Sequence, residues 1–189
     1  MSATDLTPGA QRVLDAASRL FYENGIHAIG VDTIAAEAGV TKKTLYDRFG
    51  SKEELVAAYL TARDHEWRAY LNRRVADAEP AQQLLGAFDA LGAWSAERSP
   101  RGCSFVNAHA ELPDAGHAGR RAIAEQKRSM HAWFAERARA AGRRDPDSLA
   151  DDLMLLYDGA LVTQGMDTVD DAIARARRIA AMLLEVGVE

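Results

Sequence analysis

Hydrophobic residues recur every three or four positions through most of the chain, and short polar or glycine-containing segments separate one run from the next. The first run begins after Thr7-Pro8 and has its apolar side chains at Val13, Leu14, Ala17, Leu20 and Phe21. This spacing puts them on one face of a helix, and a Thr N-cap followed by Pro is a typical helix start. The pattern repeats along the chain and no β-rich run competes with it, so the sequence predicts an all-α protein of about nine helices.

Two short helices joined by a tight turn are predicted between residues 32 and 49. Helix 2 covers Asp32 to Ala38 and stops at Gly39, which can adopt the left-handed backbone that ends helices. Thr41 caps helix 3, in which Leu45 and Phe49 point to the core four positions apart. The other side chains of helix 3 face outward and are mostly basic or hydroxylated, namely Lys42, Lys43, Thr44, Tyr46 and Asp47. This arrangement is typical of a helix-turn-helix that reads DNA with its second helix.

Six further helices are predicted after the helix-turn-helix, and capping residues mark most of their ends. Ser51 and Glu54 form a capping box at the start of helix 4, a long helix that runs toward Ala78. Pro80 opens helix 5, and Ser99-Pro100-Arg101-Gly102 closes it. Helices 6 to 9 are expected at 104–111, about 118–141, 146–165 and 168–186, the last capped by Thr168 with Asp171.

Helices 8 and 9 are apolar on nearly every face. Helix 8 contains the run 153–157 followed by Ala160, Leu161 and Val162, and helix 9 contains Ile173 and the run 179–184. A helix that is apolar all round has to be covered all round, and a second copy of the chain is the simplest cover. Helices 5 to 7 of the same chain are the alternative cover. We favour a homodimer through helices 8 and 9, because two recognition helices one DNA turn apart read a palindrome.

The net charge of the 189 residues is −5, which by itself is unexpected for a DNA-binding protein. The distribution of charge along the chain resolves this. Residues 41 to 52 hold four cations and one anion, a local charge of +3, which leaves −8 elsewhere. A small positive face on an acidic body still binds phosphates and helps to orient the protein on the duplex. The alternative interpretation, that these cations only solvate a helix surface, is weakened by the turn beside them.

Several classes of protein are excluded by what the sequence lacks. The N-terminal segment has no apolar signal-peptide core, and no run of 18 uncharged apolar residues could span a membrane. A single cysteine, Cys103, excludes an intrachain disulfide framework and a Cys-rich zinc site. Neither a Gly-rich phosphate loop nor a nucleophile elbow is recognisable. We therefore expect a cytoplasmic protein that is not an enzyme and uses no cofactor, metal or membrane.

Residues 25 to 55 resemble the signature of the TetR family of bacterial transcriptional regulators. The matching residues stand at the spacing of the family pattern: Gly25, Ile34, Ala35, Ala38, Gly39, Val40, Leu45, Tyr46, Phe49, Lys52, Glu53 and Leu55. The resemblance covers about the first third of the chain and is more specific than a generic helix-turn-helix match. It implies a dimeric, ligand-responsive repressor with a three-helix DNA-binding head at 1–52. Helix 4 would join this head to a helical ligand-binding and dimerisation domain at 53–189, with a small-molecule pocket among helices 4 to 8.

Two positions depart from the family pattern. Gly30 stands where members often have Ser or Thr capping helix 2, so a hydroxyl contact to a phosphate is lost. Lys43 stands where many members have Gly, which adds a cation near the DNA groove. The operator sequences of relatives therefore do not predict the operator sequence of this chain.

Eight residues are expected to contact DNA. A Lys side chain can donate to guanine acceptors, and a Thr methyl can contact a thymine methyl. We therefore expect the residues at the N-terminal end of helix 3 to contact base edges, namely Thr41, Lys42, Lys43 and Thr44. Resemblance to the family assigns phosphate contacts to Tyr46, Lys52, Thr33 and Arg48, and such contacts position a protein without reading sequence. The alternative for Tyr46 is packing against helix 1.

The part of the chain after residue 66 mixes large aromatic residues with polar ones, as ligand pockets do. We expect a pocket for a hydrophobic or aromatic inducer, lined by Trp67, Trp94, Phe105, Asn107, His109, Trp133 and Tyr157. For each aromatic residue taken singly, plain core packing is the alternative. Inducer binding is expected to shift helix 6 and swing helix 4, which moves the two heads out of register with the DNA groove.

Three other interpretations of the sequence stay open. Cys103 follows Gly102 near Arg101, where a thiol can be activated, so a repressor that senses electrophiles or oxidants is an alternative to a small core residue. His109, Glu111, Asp114 and His117 could suggest a metal site, but Pro113 breaks the helix between them. Their spacing also fits no common metal-binding motif. A helical protein-interaction module without DNA binding is the remaining alternative to a regulator.

Overall fold

The computed structural model describes residues 6–99 and 101–186, and its helices and turns lie in these ranges. Pro100, in the segment predicted to close helix 5, lies outside the described residues, as do residues 1–5 of the predicted head. The described chain contains helices and no strands, which confirms the all-α prediction. The helices are α1 (Pro8–Asn24), α2 (Val31–Glu37), α3 (Lys42–Phe49), α4 (Lys52–Val75), α5 (Pro80–Arg98), α6 (Ser104–Glu111), α7 (Ala118–Ala140), α8 (Pro146–Gly165) and α9 (Ala172–Val186).

Local capping explains where α1, α4 and α8 begin. The hydroxyl of Thr7 accepts from the Ala10 amide at 3.4 Å, and the carboxylate of Asp145 accepts from the Ser148 amide at 3.1 Å. At the start of α4 the Glu54 amide donates to Ser51 Oγ at 3.1 Å. Helix α4 ends at Val75, earlier than the sequence predicts, and the ends predicted for α6 and α8 are confirmed. No helix in the described residues is both long and apolar enough to cross a membrane.

Helix α9 begins four residues later than the sequence predicts, so the interpretation of Thr168 as its cap is wrong. The Thr168 hydroxyl instead donates to the Thr163 carbonyl at 3.3 Å, at the end of α8. Asp167 and Asp171 have φ of 53° and 54°, a left-handed conformation that interrupts a helix. The Arg175 amide donates to the Asp171 carbonyl at 2.9 Å, so the regular helix starts after Asp171.

The chain divides into two compact units, and the first comprises residues 6–65 together with 104–125. In this unit α1, α2, α3 and the first part of α4 surround fully buried apolar side chains, including Val13, Ile34, Leu45 and Leu55. Burial of such side chains is the main stabilising contribution in a small helical unit. Helix α6 and the start of α7 also belong to this unit. The functional division at residue 52 stays a prediction.

The second unit comprises residues 66–103 and 126–186 as far as they are described, and therefore contains α5, α8, α9 and parts of α4 and α7. Its core is built around rings that pack at angles to one another. Phe88 lies 6.3 Å from Phe134, and Phe134 lies 5.9 Å from Tyr157, measured between ring centroids. These spacings fall in the range that aromatic pairs prefer, so the three rings stabilise one another beyond their burial.

Candidate nucleic-acid interface

In the turn between α2 and α3, a glycine terminates α2. Gly39 has φ of 62°, and the Val40 amide donates to the Ala35 carbonyl at 3.0 Å. This six-to-one hydrogen bond with a left-handed glycine is the Schellman arrangement that ends helices. Arg12 Nε donates to the Ala38 carbonyl at 3.1 Å, which ties the turn to α1. The predicted role of Gly39 is confirmed.

Helix α3 is held in place by its cap and by two buried side chains. The Thr44 amide donates to Thr41 Oγ1 at 3.1 Å, which confirms the predicted cap. Leu45 is fully buried and Phe49 is nearly so, as their four-residue spacing predicts. With these two side chains in the core, the rest of α3 has to face away from it.

The predicted base-reading and phosphate-binding residues on this part of the unit are indeed outward. Thr33, Thr41, Lys42, Lys43 and Arg48 are exposed, and Thr44 is half-buried. Tyr46 is 40% exposed, which argues against its packing fully against α1. The structure therefore leaves these side chains accessible to a partner, and their individual roles toward DNA stay predictions.

Two lysines of this face are paired with carboxylates in the free protein. Lys42 Nζ lies 3.0 Å from Asp32 Oδ1, and Lys43 Nζ lies 2.7 Å from Asp47 Oδ2. The hydrogen bond that Lys42 donates to Asp32 raises the pKa of Lys42 above its ordinary value. Both pairs are exposed and contribute little to stability, so a phosphate can displace either carboxylate at small cost.

Lys52 has a more constrained position than the other predicted phosphate-binding residues. Its ammonium donates to the Ile26 carbonyl at 2.7 Å and lies 5.9 Å from the centroid of the Phe21 ring. Burial lowers the pKa of Lys52, and the negative charge of Glu111 opposes that shift. The sequence did not reveal this second role, since nothing in the local pattern links positions 26 and 52.

Glu111, the last residue of α6, contacts the turn that follows α1, which the sequence pattern did not indicate. Its carboxylate accepts a hydrogen bond from the His27 amide at 2.8 Å, across 84 positions of sequence. His27 follows the end of α1, on the turn that leads into α2.

Among the described residues, no group of three or more His, Cys, Asp or Glu side chains is arranged to hold a metal ion.

Four of the seven residues predicted to line a ligand pocket come together in the second unit. Trp67 lies 5.6 Å from Trp94 and 6.3 Å from Tyr157, measured between ring centroids. Trp133 Nε1 donates to Asn72 Oδ1 at 3.1 Å, whereas Trp67 Nε1 is buried and has no acceptor among the described residues. The other three predicted residues lie on α6 in the first unit, where Phe105 is buried and the remaining two are exposed, namely Asn107 and His109.

A different part of the second unit forms a cavity of about 720 Å³. It is lined by residues of α5, the end of α8, the α8–α9 connection and α9, including Phe88, Gln164, Ile173 and Arg177. None of the seven predicted pocket residues lines it. Cys103 is half-buried and packs against the core of this unit, which agrees with a packing role and leaves thiol sensing as a prediction.

Two family models match the chain. The model described as bacterial regulatory proteins, tetR family, matches residues 13–59, which contain the helix-turn-helix. The model described as tetracyclin repressor-like, C-terminal domain, matches residues 80–180, more than half of the chain. The second match reaches the part of the chain that the sequence resemblance did not cover.

Solved and curated relatives agree with these two matches. A TetR-family transcriptional regulator from Streptomyces coelicolor is structurally similar with a TM-score of 0.87 and 29% identity, over 96% of this chain and 97% of that one. An uncharacterized HTH-type transcriptional regulator of Mycobacterium tuberculosis is 38% identical over 86 residues, which are 45% of this chain and 43% of the relative. The HTH-type transcriptional activator FasR of Mycolicibacterium smegmatis is 51% identical over 49 residues, 26% of this chain and 22% of that protein. The chain thus spans less than half the length of these curated relatives.

Proposed function

The chain belongs to the TetR family of bacterial regulatory proteins, and on this premise we propose that it is a DNA-binding transcriptional repressor that responds to a small molecule. The observation that carries the proposal is the Thr41-capped helix α3, anchored by Leu45 and Phe49 with its basic and hydroxylated face exposed. A helix held in this way after a tight turn is suited to the DNA major groove. Because its target is chromosomal DNA, we expect the protein to act in the cytoplasm.

Base reading is assigned to the N-terminal end of α3. Lys42 and Lys43 can exchange their carboxylate partners for guanine O6 and N7, and the methyl groups of Thr41 and Thr44 can contact thymine. Asp32 and Asp47 hold the two ammonium groups in the free protein. We propose that this pairing keeps both lysines ordered before DNA binds, so that less side-chain entropy is lost on binding.

Phosphate binding is assigned to residues that flank α3. Tyr46 and Arg48 are exposed on α3 itself, and Thr33 is exposed on α2. An ammonium has three N–H donors, so Lys52 can keep its bond to the Ile26 carbonyl and direct another N–H to a phosphate. We propose that these four side chains fix the register of α3 on the duplex.

A homodimer through α8 and α9 is supported by apolar side chains that the chain leaves exposed. Leu155 on α8 is 75% exposed, and Met182 on α9 is 59% exposed. Ile179, one helical turn before Met182, is 43% exposed. Large apolar side chains exposed on two consecutive helices are typical of a protein interface, and a second copy with the same surface can cover both. Two heads then read a palindromic operator.

The effector is proposed to bind near the aromatic residues at Trp67, Trp94, Trp133 and Tyr157. The buried indole N–H of Trp67 has no acceptor, and an unpaired buried donor costs about 1–3 kcal/mol. A ligand that brings a carbonyl or other acceptor to Trp67 Nε1 removes this cost. We therefore favour a planar, hydrophobic effector with one hydrogen-bond acceptor.

Selection of bound sequences from random duplex DNA tests the central proposal. We expect the recovered motif to have two-fold symmetry, because two identical heads read it. The Lys42→Ala/Lys43→Ala double variant should recover no motif. A matched control, Arg73→Ala/Arg144→Ala, removes the same charge from exposed positions of the second unit and should recover the wild-type motif. Recovery of no motif by the wild-type protein would refute DNA reading.

Release of the selected operator tests the ligand response. Planar aromatic carbonyl compounds are added to the complex, and release is followed together with tryptophan fluorescence. We expect an active compound to lose its effect on the Trp67→Phe variant, which keeps an aromatic ring and removes the N–H donor. Equal release from both proteins would show that the Trp67 N–H does not recognise the effector.

A further inference from the structure

The last residue of α6, Glu111, lies against the turn that follows α1 in the first unit. Its Oε2 accepts the hydrogen bond from the His27 amide at 2.8 Å and lies 3.8 Å from His27 Nδ1. A carboxylate at the C-terminal end of a helix is unfavourably placed, because the helix dipole is negative there. Glu111 thus breaks a local preference of its own helix and is compensated by groups of the turn.

The backbone of the turn leaves room for this carboxylate. Gly25 has φ of 91°, and a Cβ placed on it would lie 3.2 Å from both carboxylate oxygens of Glu111. Such a contact is tighter than ordinary van der Waals packing, and the positive φ disfavours a side chain in any case. Gly25 therefore both ends α1 and lets Glu111 approach the turn.

Lys52 binds the same turn through a backbone carbonyl. It donates to the Ile26 carbonyl at 2.7 Å, one residue before the amide that Glu111 binds. The negative charge of Glu111 also favours the charged form of Lys52. The Lys52 ammonium thus binds a carbonyl of the turn, and the Glu111 carboxylate binds an amide of the turn. Charge-assisted hydrogen bonds of this kind are stronger than neutral ones.

We propose that Glu111 is a positioning residue for DNA binding, which sets the turn between α1 and α2 and through it the helix-turn-helix. This inference rests on the proposed function, because it concerns how the same surface is held ready for DNA. Residues 25–30 are the covalent link from α1 to α2, and α2 is followed directly by the reading helix. Movement of the end of α6 would release the His27 amide and loosen this link.

Two substitutions of Glu111 and one matched control test the proposal on the full-length protein. Glu111→Ala removes the acceptor, Glu111→Gln keeps an acceptor oxygen and removes the charge, and Asp114→Ala removes a nearby exposed carboxylate that accepts from the Gly116 amide. Hydrogen exchange of the His27 amide reports on the contact without any DNA. The dissociation constant for the selected operator reports on positioning.

We expect the His27 amide to exchange about tenfold faster in Glu111→Ala, and the operator to be bound about tenfold more weakly, as the loss of one charge-assisted hydrogen bond implies. Glu111→Gln should recover a part of both values, and Asp114→Ala should change neither by more than about twofold. Faster exchange with unchanged operator affinity would make Glu111 merely structural and overturn the proposal. Unchanged exchange in Glu111→Ala would overturn the contact itself. If the wild-type protein bound no DNA, the proposed function would fail and with it the positioning role, while exchange would still decide whether Glu111 holds the turn.

Discussion

Thr41 and Thr44 are joined twice at the start of α3. The Thr44 amide donates to Thr41 Oγ1 at 3.1 Å, and the two hydroxyl oxygens lie 2.9 Å apart. The hydroxyl that caps the helix is therefore also part of the surface proposed to face the DNA bases. The stability of α3 and the DNA recognition proposed for α3 therefore depend on the same side chain.

Replacement of Thr41 by Val should lower the free energy of unfolding by about 1 kcal/mol, because the Thr44 amide loses its acceptor. Thr41→Ser keeps the oxygen and should stay within about 0.5 kcal/mol of the wild type. Urea unfolding followed by circular dichroism, at one protein concentration, measures both values. Equal stability of the Val and wild-type proteins would show that the cap contributes nothing measurable.

Replacement of Lys43 by Ala should change which sequences are selected. If Lys43 donates to a base, the variant loses about 1–3 kcal/mol of discrimination at one position of each half-site. Selection from random DNA, followed by affinity measurements on single-base variants of the motif, gives this value. An unchanged motif with uniformly weaker binding would place Lys43 on a phosphate instead.

Replacement of Lys52 by Ala should weaken binding to all sequences to a similar extent. Loss of one phosphate contact reduces the slope of log affinity against log salt concentration by about one. Titrations of the operator and of an unrelated duplex at several salt concentrations measure the slope. If affinity falls and the slope does not change, Lys52 acts only through the Ile26 carbonyl.

The same lysine should make stability depend on alkaline pH. Burial lowers the pKa of folded Lys52 below 10.5, so near this pH the unfolded chain binds more protons at this residue than the folded chain does. The contribution of Lys52 to stability therefore increases as pH rises through the folded pKa toward 10.5. The stability of the wild type relative to Lys52→Met, from urea unfolding at each pH, should rise over this window. A constant difference would contradict a lowered pKa.

Replacement of Leu155 by Glu should abolish the proposed homodimer, because it places a charge among the exposed apolar side chains of α8 and α9. Leu155 is 75% exposed in the single chain, so the substitution should leave the fold of one subunit intact. Sedimentation velocity should show a monomer for this variant and a dimer for the wild type. Gln82→Glu, which adds the same charge at an exposed position of α5, should remain a dimer; a dimeric Leu155→Glu protein would place the interface elsewhere.

Most helix ends and the outward face of α3 could be predicted because they depend on residues close in sequence. Thr7, Asp145 and Thr41 each bind an amide three positions later, and Leu45 and Phe49 are one helical turn apart. The start of α9 could not be predicted in this way. The Thr168-Asp171 pair has the pattern of a cap, but the left-handed backbone at Asp167 and Asp171 prevents a helix from starting there.

The sequence by itself determined the all-α class, the helix-turn-helix and the residues that face away from its core, since these follow from hydrophobic periodicity and short-range capping. Only the tertiary structure decided that α6 belongs to the same compact unit as the helix-turn-helix, and that Glu111 and Lys52 hold the turn after α1. The physical reason is separation along the chain. The bond between His27 and Glu111 joins residues 84 positions apart, and only folding brings such residues together.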